Sequence, residues 1–356
     1  MKLFKNKKLE ETTEILKFDD EVLNKVRKKS KVKSIFNKIG VSFLTFILLI
    51  CFIFFGAIAI ICYGPSPSAR DIFVTSVIET SAGKFLAYMY FSKDKVNEIL
   101  DNNSVGKLDE EINTDLVVIE KDKNNDQEDI VVEDVNGSTY KGKMMIIKDP
   151  SKVIVGVSSD KFYNSVRGKK VDEIIKKYNG VGGTNAGGFS DGGGVGNGGM
   201  PLGIVISEGK LLKGNLNTTY EVIGIDRNNK LILGNLTGQK TIDMGIRDAI
   251  SFGPFLVLNN EPLEIKGRGS GLNPRTAIGQ RSDGSILLLT IDGRQANSLG
   301  ASMEDVISIM LKYNAVNAAN LDGGSSTLMY YKNELISQCA SLYGPRDMPT
   351  AIVVKE

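Results

Sequence analysis

Residues 39–63 carry no charged side chain, and their centre, 43–61, is almost entirely Leu, Ile, Phe and Ala. About 20 such residues are enough to cross a bilayer as a helix, so one transmembrane helix is expected over 39–63. The run is too long for the apolar core of a signal peptide, and no small-residue cleavage site is evident. Ahead of it, residues 1–38 are polar and Lys-rich. They hold 12 of the chain's 44 Lys/Arg and 6 of its 42 Asp/Glu, so this tail carries +6 and the remainder −4. A basic flank stays in the cytoplasm. The expected topology is therefore single-pass in the cell membrane, N-terminus cytoplasmic and C-terminal domain extracellular. Gly64-Pro65-Ser66-Pro67-Ser68 ends the helix.

Beyond that point the pattern changes period. Residues 70–100 have helical spacing, with Ile72, Phe73, Ser76, Val77 and Thr80 on one face. Residues 101–140 are rich in Asp, Glu, Asn and Lys, with one apolar island at 116–119. Together 64–139 read as a stalk or linker, and the main domain as 140–356. Short apolar runs suited to strands follow at 143–147, 152–157, 202–207, 210–212, 220–225, 230–233, 255–258, 275–278, 286–291, 315–321 and 351–354. Helical spacing appears at 171–178. A second helix begins at Ser302, an N-cap with Asp305 three residues on, and its apolar face is Met303, Val306, Ile307, Met310 and Leu311. The fold class is α+β: a mixed sheet domain with packing helices, preceded by one transmembrane helix.

The strand at 315–321 leads into Asp322-Gly323-Gly324-Ser325-Ser326-Thr327. A strand-end carboxylate beside glycines, whose amides can form an anion cradle, suits a substrate with both a phosphate and a bond to hydrolyse. A tight turn capped by Asp is the plainer reading. Asp292-Gly293-Arg294 ends the strand at 286–291 in the same way. Residues 180–199 include 11 glycines in 20 positions, interleaved with Thr184, Asn185, Phe189, Asp191 and Asn197. A flexible linker has no use for that set; a strand-to-loop segment at a ligand does.

Composition narrows the chemistry. The chain of 356 residues contains no His, which removes Ser-His-Asp and Cys-His catalysis and His-containing zinc sites. Of three cysteines, Cys51 and Cys62 lie in the apolar run, leaving Cys339 without a partner for a disulfide and better read as a buried hydrophobe. The acidic remainder argues against nucleic acid as a partner. Asp191, Asp292 and Asp322 with Asn side chains would suit a divalent cation such as Ca²⁺ or Mg²⁺, although no dense ligand spacing is present, so no cofactor is assigned.

Four motifs occur in order: Thr184-Asn185-Ala186-Gly187-Gly188-Phe189, Asn273-Pro274-Arg275-Thr276-Ala277-Ile278-Gly279, Ile291-Asp292-Gly293-Arg294 and Asn320-Leu321-Asp322-Gly323-Gly324-Ser325-Ser326. The set resembles the phosphodiester glycosidase family over roughly 140–356. Ser325 stands where the family often has a third glycine. Bacterial members are often labelled exopolysaccharide biosynthesis proteins. The resemblance implies hydrolysis of a sugar C1–O–phosphate bond in a cell-surface glycan. On that reading Asp322 and Asp292 are the catalytic carboxylates, both closing apolar strands and able to face one cleft. Arg275, Arg294 and Arg346 are the candidates for gripping phosphate. Gly323, Gly324, Ser325 and Ser326 line the substrate, and Asn185 bonds sugar hydroxyls or orients water. The competing expectation is a non-catalytic glycan-binding or polysaccharide-assembly protein on the same fold.

Overall fold

The structure is a computed structural model. It describes residues 2–80, 83–108, 110–119, 129–190, 196–341 and 343–356. The chain forms two compact units, 1–65 and 66–356.

The first unit is one helix, Lys2–Tyr63. Its Val22–Tyr63 portion is long and apolar enough, by length and composition, to cross a membrane. Phe43, Leu48 and Phe52 are among its exposed side chains.

Among its described residues the second unit holds three sheets in which every strand pairing is antiparallel. The largest has seven strands, in the order Ile130–Asn136, Lys141–Ile147, Ile286–Ile291, Arg275–Arg281, Ala315–Leu321, Phe255–Leu258, Glu261–Pro262. A five-stranded sheet runs Glu334–Leu335, Met329–Tyr331, Gly180–Asn185, Thr350–Lys355, Val153–Val157. The third runs Lys210–Lys213, Val205–Ser207, Ile246–Ser251, Thr219–Asp226, Leu231–Thr237. One core joins all three: Ile278 and Leu288 of the first, Val155 and Ile352 of the second, Ile223 and Leu231 of the third.

The large sheet is covered on its other face too. Helix Met303–Lys312 lays Val306, Ile307 and Met310 against Ala277, Leu289 and Ile291. This explains why 286–291 reads Ile-Leu-Leu-Leu-Thr-Ile rather than alternating, since both faces are buried. The helix starts as expected: Ser302 Oγ accepts from the Asp305 amide at 3.2 Å, and the Asp305 carboxylate accepts from the Ser302 amide at 2.9 Å. Helix Val171–Lys177 covers the second sheet, with Ile174 and Ile175 against Ile154 and Val353.

The glycine-rich segment begins as a strand rather than a linker. Gly180–Asn185 pairs on both sides, with Met329–Tyr331 and Thr350–Lys355. Gly183 has φ +152°, and a Cβ there would lie 2.1 Å from the Ile352 carbonyl oxygen. Only glycine fits. Residues 191–195, including Asp191, lie outside the described residues.

The stretch read as a stalk belongs largely to the compact unit. Ile130–Asn136 pairs with Lys141–Ile147 along seven residues, so the sheet starts before residue 140. Helices Pro67–Ile78, Lys84–Tyr90 and Lys93–Asp101 form a small cluster around Val74, Ala87, Val96 and Ile99. The end of Pro67–Ile78 docks on the loop before Arg275: the Leu272 amide donates to Ser76 Oγ at 2.8 Å. Charged, hydrophilic composition concealed both features, because a half-buried edge strand such as Ile-Val-Val-Glu-Asp-Val-Asn carries polar residues on its open face.

Candidate functional site

The strands Arg275–Arg281 and Ala315–Leu321 end at a cleft of about 930 Å³. Among the described residues its charged lining consists of Arg167, Lys170, Arg275, Arg294 and Arg346 against Glu79, Asp322 and Asp347. Five cations face three carboxylates, so the cleft suits an anionic ligand.

Asp322 lines the cleft. Its backbone is fixed from below: the amide donates to Ala186 O at 3.0 Å, and its carbonyl accepts from Asn185 Nδ2. Asn185 itself is fully buried, and its Oδ1 accepts from Thr276 Oγ1 at 2.9 Å and from the Leu328 amide at 3.2 Å. Its amide is therefore spent on joining three segments beneath Asp322. It holds the backbone of Asp322, and it is not among the residues that line the cleft.

Asp292 does not share the cleft wall. Thr276 pairs with Thr290 on one side and Leu321 on the other. Paired residues point to one face, so Ile291, Arg275 and Asn320 point to the opposite face, toward helix Met303–Lys312. Asp292 continues its ladder by donating its amide to Lys141 O at 2.8 Å, so its side chain alternates away from that face. It is buried and accepts from the Gln338 amide at 2.8 Å. Burial pushes its carboxyl above the usual range, against the pull of that amide and of Lys143. The expectation that both strand-end carboxylates face one cleft fails on this register: the two strands end one residue out of phase.

Arg275 lines the cleft but its fork is engaged. Nη1 pairs with Glu79 at 2.7 Å, Nη2 donates to Ser270 Oγ at 2.8 Å and Gly271 O at 2.7 Å, and Nε donates to Ala301 O at 3.1 Å. The residue is 5% exposed. Arg294 differs: it is exposed, its Nη2 donates to Asn273 Oδ1 at 3.0 Å and its Nη1 to Ser325 Oγ at 3.3 Å. Both partners are neutral, and among the described residues it makes no ion pair. Its φ of +58° is the left-handed region, a strained choice for a non-glycine residue. Gly324 makes room for it; a Cβ there would lie 3.1 Å from Arg294 Nη2, at φ +61°. Arg346 stacks over Phe189 at 5.0 Å, and both line the cleft.

The Asp322 turn offers fewer backbone donors than its glycines suggest. The Gly324 amide is spent on Pro274 O at 2.8 Å and the Ser326 amide on Gly323 O at 3.1 Å. Gly323 and Ser325 line the cleft beside them, and Ser326 also lines it although it is almost wholly buried. At the other end Asp347 pairs with Lys170 at 2.9 Å and with Arg167. Burial raises the Asp347 carboxyl, but the two cations outweigh it and hold it below the usual range. Among the described residues no three His, Cys, Asp or Glu cluster to hold a metal ion.

Several cleft residues were not singled out as candidates from the sequence, among them Asn320 and Glu79. Asn320 sits two positions before Asp322 on the same face, a spacing that could have flagged it. Its Nδ2 donates to Gly253 O at 2.9 Å, and its buried Oδ1 has no partner among the described residues. Glu79 had no such signal, since it comes from a distant segment.

The phosphodiester glycosidase family profile matches residues 178–355, half of the chain. The chain belongs to the phosphodiester glycosidase family. Its likeness to a solved structure, the catalytic domain of zebrafish N-acetylglucosamine-1-phosphodiester alpha-N-acetylglucosaminidase auto-inhibited by its pro-peptide, covers 67% of this chain and 86% of that one, with TM-score 0.55 and 22% identity. The fold is thus shared. The chain is 30% identical over 181 residues to YomE, an uncharacterized SPbeta prophage-derived protein of Bacillus subtilis, covering 47% of this chain and 26% of YomE. It is 25% identical over 179 residues to the mouse N-acetylglucosamine-1-phosphodiester alpha-N-acetylglucosaminidase, covering 44% of this chain and 34% of the mouse protein. It therefore spans about a quarter to a third of the length of these relatives. Within the family frame, Asp322, Arg275 and Arg294 fall inside the matched span, whereas Glu79, Arg167 and Lys170 precede it.

Proposed function

We propose that this phosphodiester glycosidase family member is a membrane-anchored hydrolase. Its substrate is a sugar-1-phosphodiester in a glycan at the outer cell surface. The observation that carries this reading is the meeting of Asp322 with Arg294 in one cation-rich cleft. The names of the mouse and zebrafish relatives supply the substrate class, a sugar joined through C1 to a phosphodiester.

In the proposed reaction the C1–O bond breaks and the phosphate oxygen keeps the electron pair. Water adds to C1 and gives up a proton, and a sugar and a phosphomonoester leave. Asp322 faces the positive charge that builds on the ring and takes the proton from water. Arg294 holds the phosphate as charge accumulates on the leaving oxygen. Phosphate is a weakly basic leaving group, so a strong general acid is unnecessary. The test is turnover of an N-acetylglucosamine-1-phosphodiester, with free N-acetylglucosamine and phosphomonoester expected in equal amounts. Sugar 1-phosphate plus free alcohol would mean P–O cleavage instead. Saturable binding without product would support a non-catalytic glycan-binding protein.

The apolar helix and its basic N-terminal flank support the anchoring. Protease added to intact cells is expected to remove the 66–356 unit. Protection of that unit until the cells are lysed would reverse the topology.

A further inference from the structure

Glu79 reaches the cleft from the end of helix Pro67–Ile78. One carboxylate oxygen accepts from both Arg275 Nη1, at 2.7 Å, and Asn273 Nδ2, at 3.0 Å. The Oδ1 of the same Asn273 accepts from Arg294 Nη2 at 3.0 Å. Among the described residues, one connected network thus holds two guanidinium groups and a single carboxylate, a net charge of +1. The carboxylate is 31% exposed on its side chain, so it faces the cleft contents as well as its partners.

That balance discriminates between the two anions the reaction handles. A phosphodiester carries one negative charge. The phosphomonoester product carries about 1.5 to 2 near neutral pH. A fixed carboxylate beside the phosphate-binding arginine matches the first and repels the extra charge of the second. Without it the two arginines would favour the more highly charged product and hold it.

We propose that Glu79 is a specificity-determining residue that sets the arginine site to a single negative charge, favouring the diester substrate and expelling the monoester product. The inference rests on the proposed hydrolysis of sugar phosphodiesters and adds the charge selectivity of that site.

The test uses the full chain and a probe that cannot be cleaved. This is the N-acetylglucosamine C-glycoside phosphonate, with methylene in place of the glycosidic oxygen. It is prepared as the free acid and as its monomethyl ester. At about pH 8.5 these carry two charges and one. Calorimetric titration of the wild type is expected to show the ester binding at least about fivefold more tightly than the free acid. Glu79→Gln keeps an acceptor for Arg275 and Asn273 while removing the charge. It is expected to tighten the free acid about tenfold and to change the ester less than about threefold.

A wild type that prefers the doubly charged form overturns the proposal by itself, whatever the stability of the variant. So does a variant in which both forms shift equally, which would make Glu79 a positioning residue only. Binding of neither form would remove the proposed reaction, and this inference with it.

Discussion

Asp322→Asn is expected to lose about a hundredfold or more in turnover while keeping its fold. The contacts that fix residue 322 are made by its backbone, to Ala186 O and from Asn185 Nδ2, and an amide side chain leaves both intact. The thermal midpoint should therefore move little. Asp292→Asn is the matched control, since it removes the same charge from the end of a strand separated from that of Asp322 by one intervening strand. Its Oδ1 still accepts from the Gln338 amide. Turnover should stay within about threefold.

The stability of that control has a sign. The Asp292 carboxyl is raised in the folded protein above its ordinary 3.8. As pH climbs past 3.8 the unfolded chain gives up this proton first, so the wild type loses stability until the raised folded value is passed. Asn has no proton to lose. The variant should be at least as stable as the wild type at pH 7 and should lack that decline. An inactive Asp292→Asn beside an active Asp322→Asn would exchange the two roles.

Arg294→Lys is expected to cost about 10- to 150-fold in kcat/KM on a sugar phosphodiester, the loss of a charge-assisted fork worth about 1.5–3 kcal/mol. An ammonium is a point charge and cannot take two phosphate oxygens in one plane. On a sugar carrying a neutral aryl leaving group the same change should cost only a few-fold. Arg275→Lys should behave otherwise. Its guanidinium ties together Ser270, Gly271, Ala301 and Glu79, so losses should be similar on both substrates and accompanied by a lower thermal midpoint. If Arg275→Lys is substrate-selective and Arg294→Lys is not, the phosphate contact belongs to Arg275.

Local features of the chain were legible in its sequence, and long-range ones were not. Strand 315–321, the Ser302 cap and the helix after it are local matters of period and capping, and the structure has them at the expected residues. Asp322 was legible because a carboxylate between a buried strand and two glycines is an unusual local combination. Arg275 and Arg294 look alike in sequence, each one or two residues from Pro or Gly. What separates them is which side chains stand opposite, and Glu79 is nearly 200 positions away. Asp292 was misplaced for a related reason: facing direction depends on the pairing register of three strands, which no single segment carries. The edge strand Ile130–Asn136 was hidden by its polar residues, because an edge has only one face to bury.

Glu79 also bears on where this protein can be cut. The family profile matches from residue 178 on, well after helix Pro67–Ile78. A fragment trimmed to that border would keep the buried Arg275 yet lose Glu79, its partly exposed counter-ion, together with the strands Ile130–Asn136, Lys141–Ile147 and Val153–Val157. The portable part of the molecule, measured by charge rather than by likeness, therefore starts near Ser66. Moved alone, the later strands would carry Arg275 without the carboxylate that balances it.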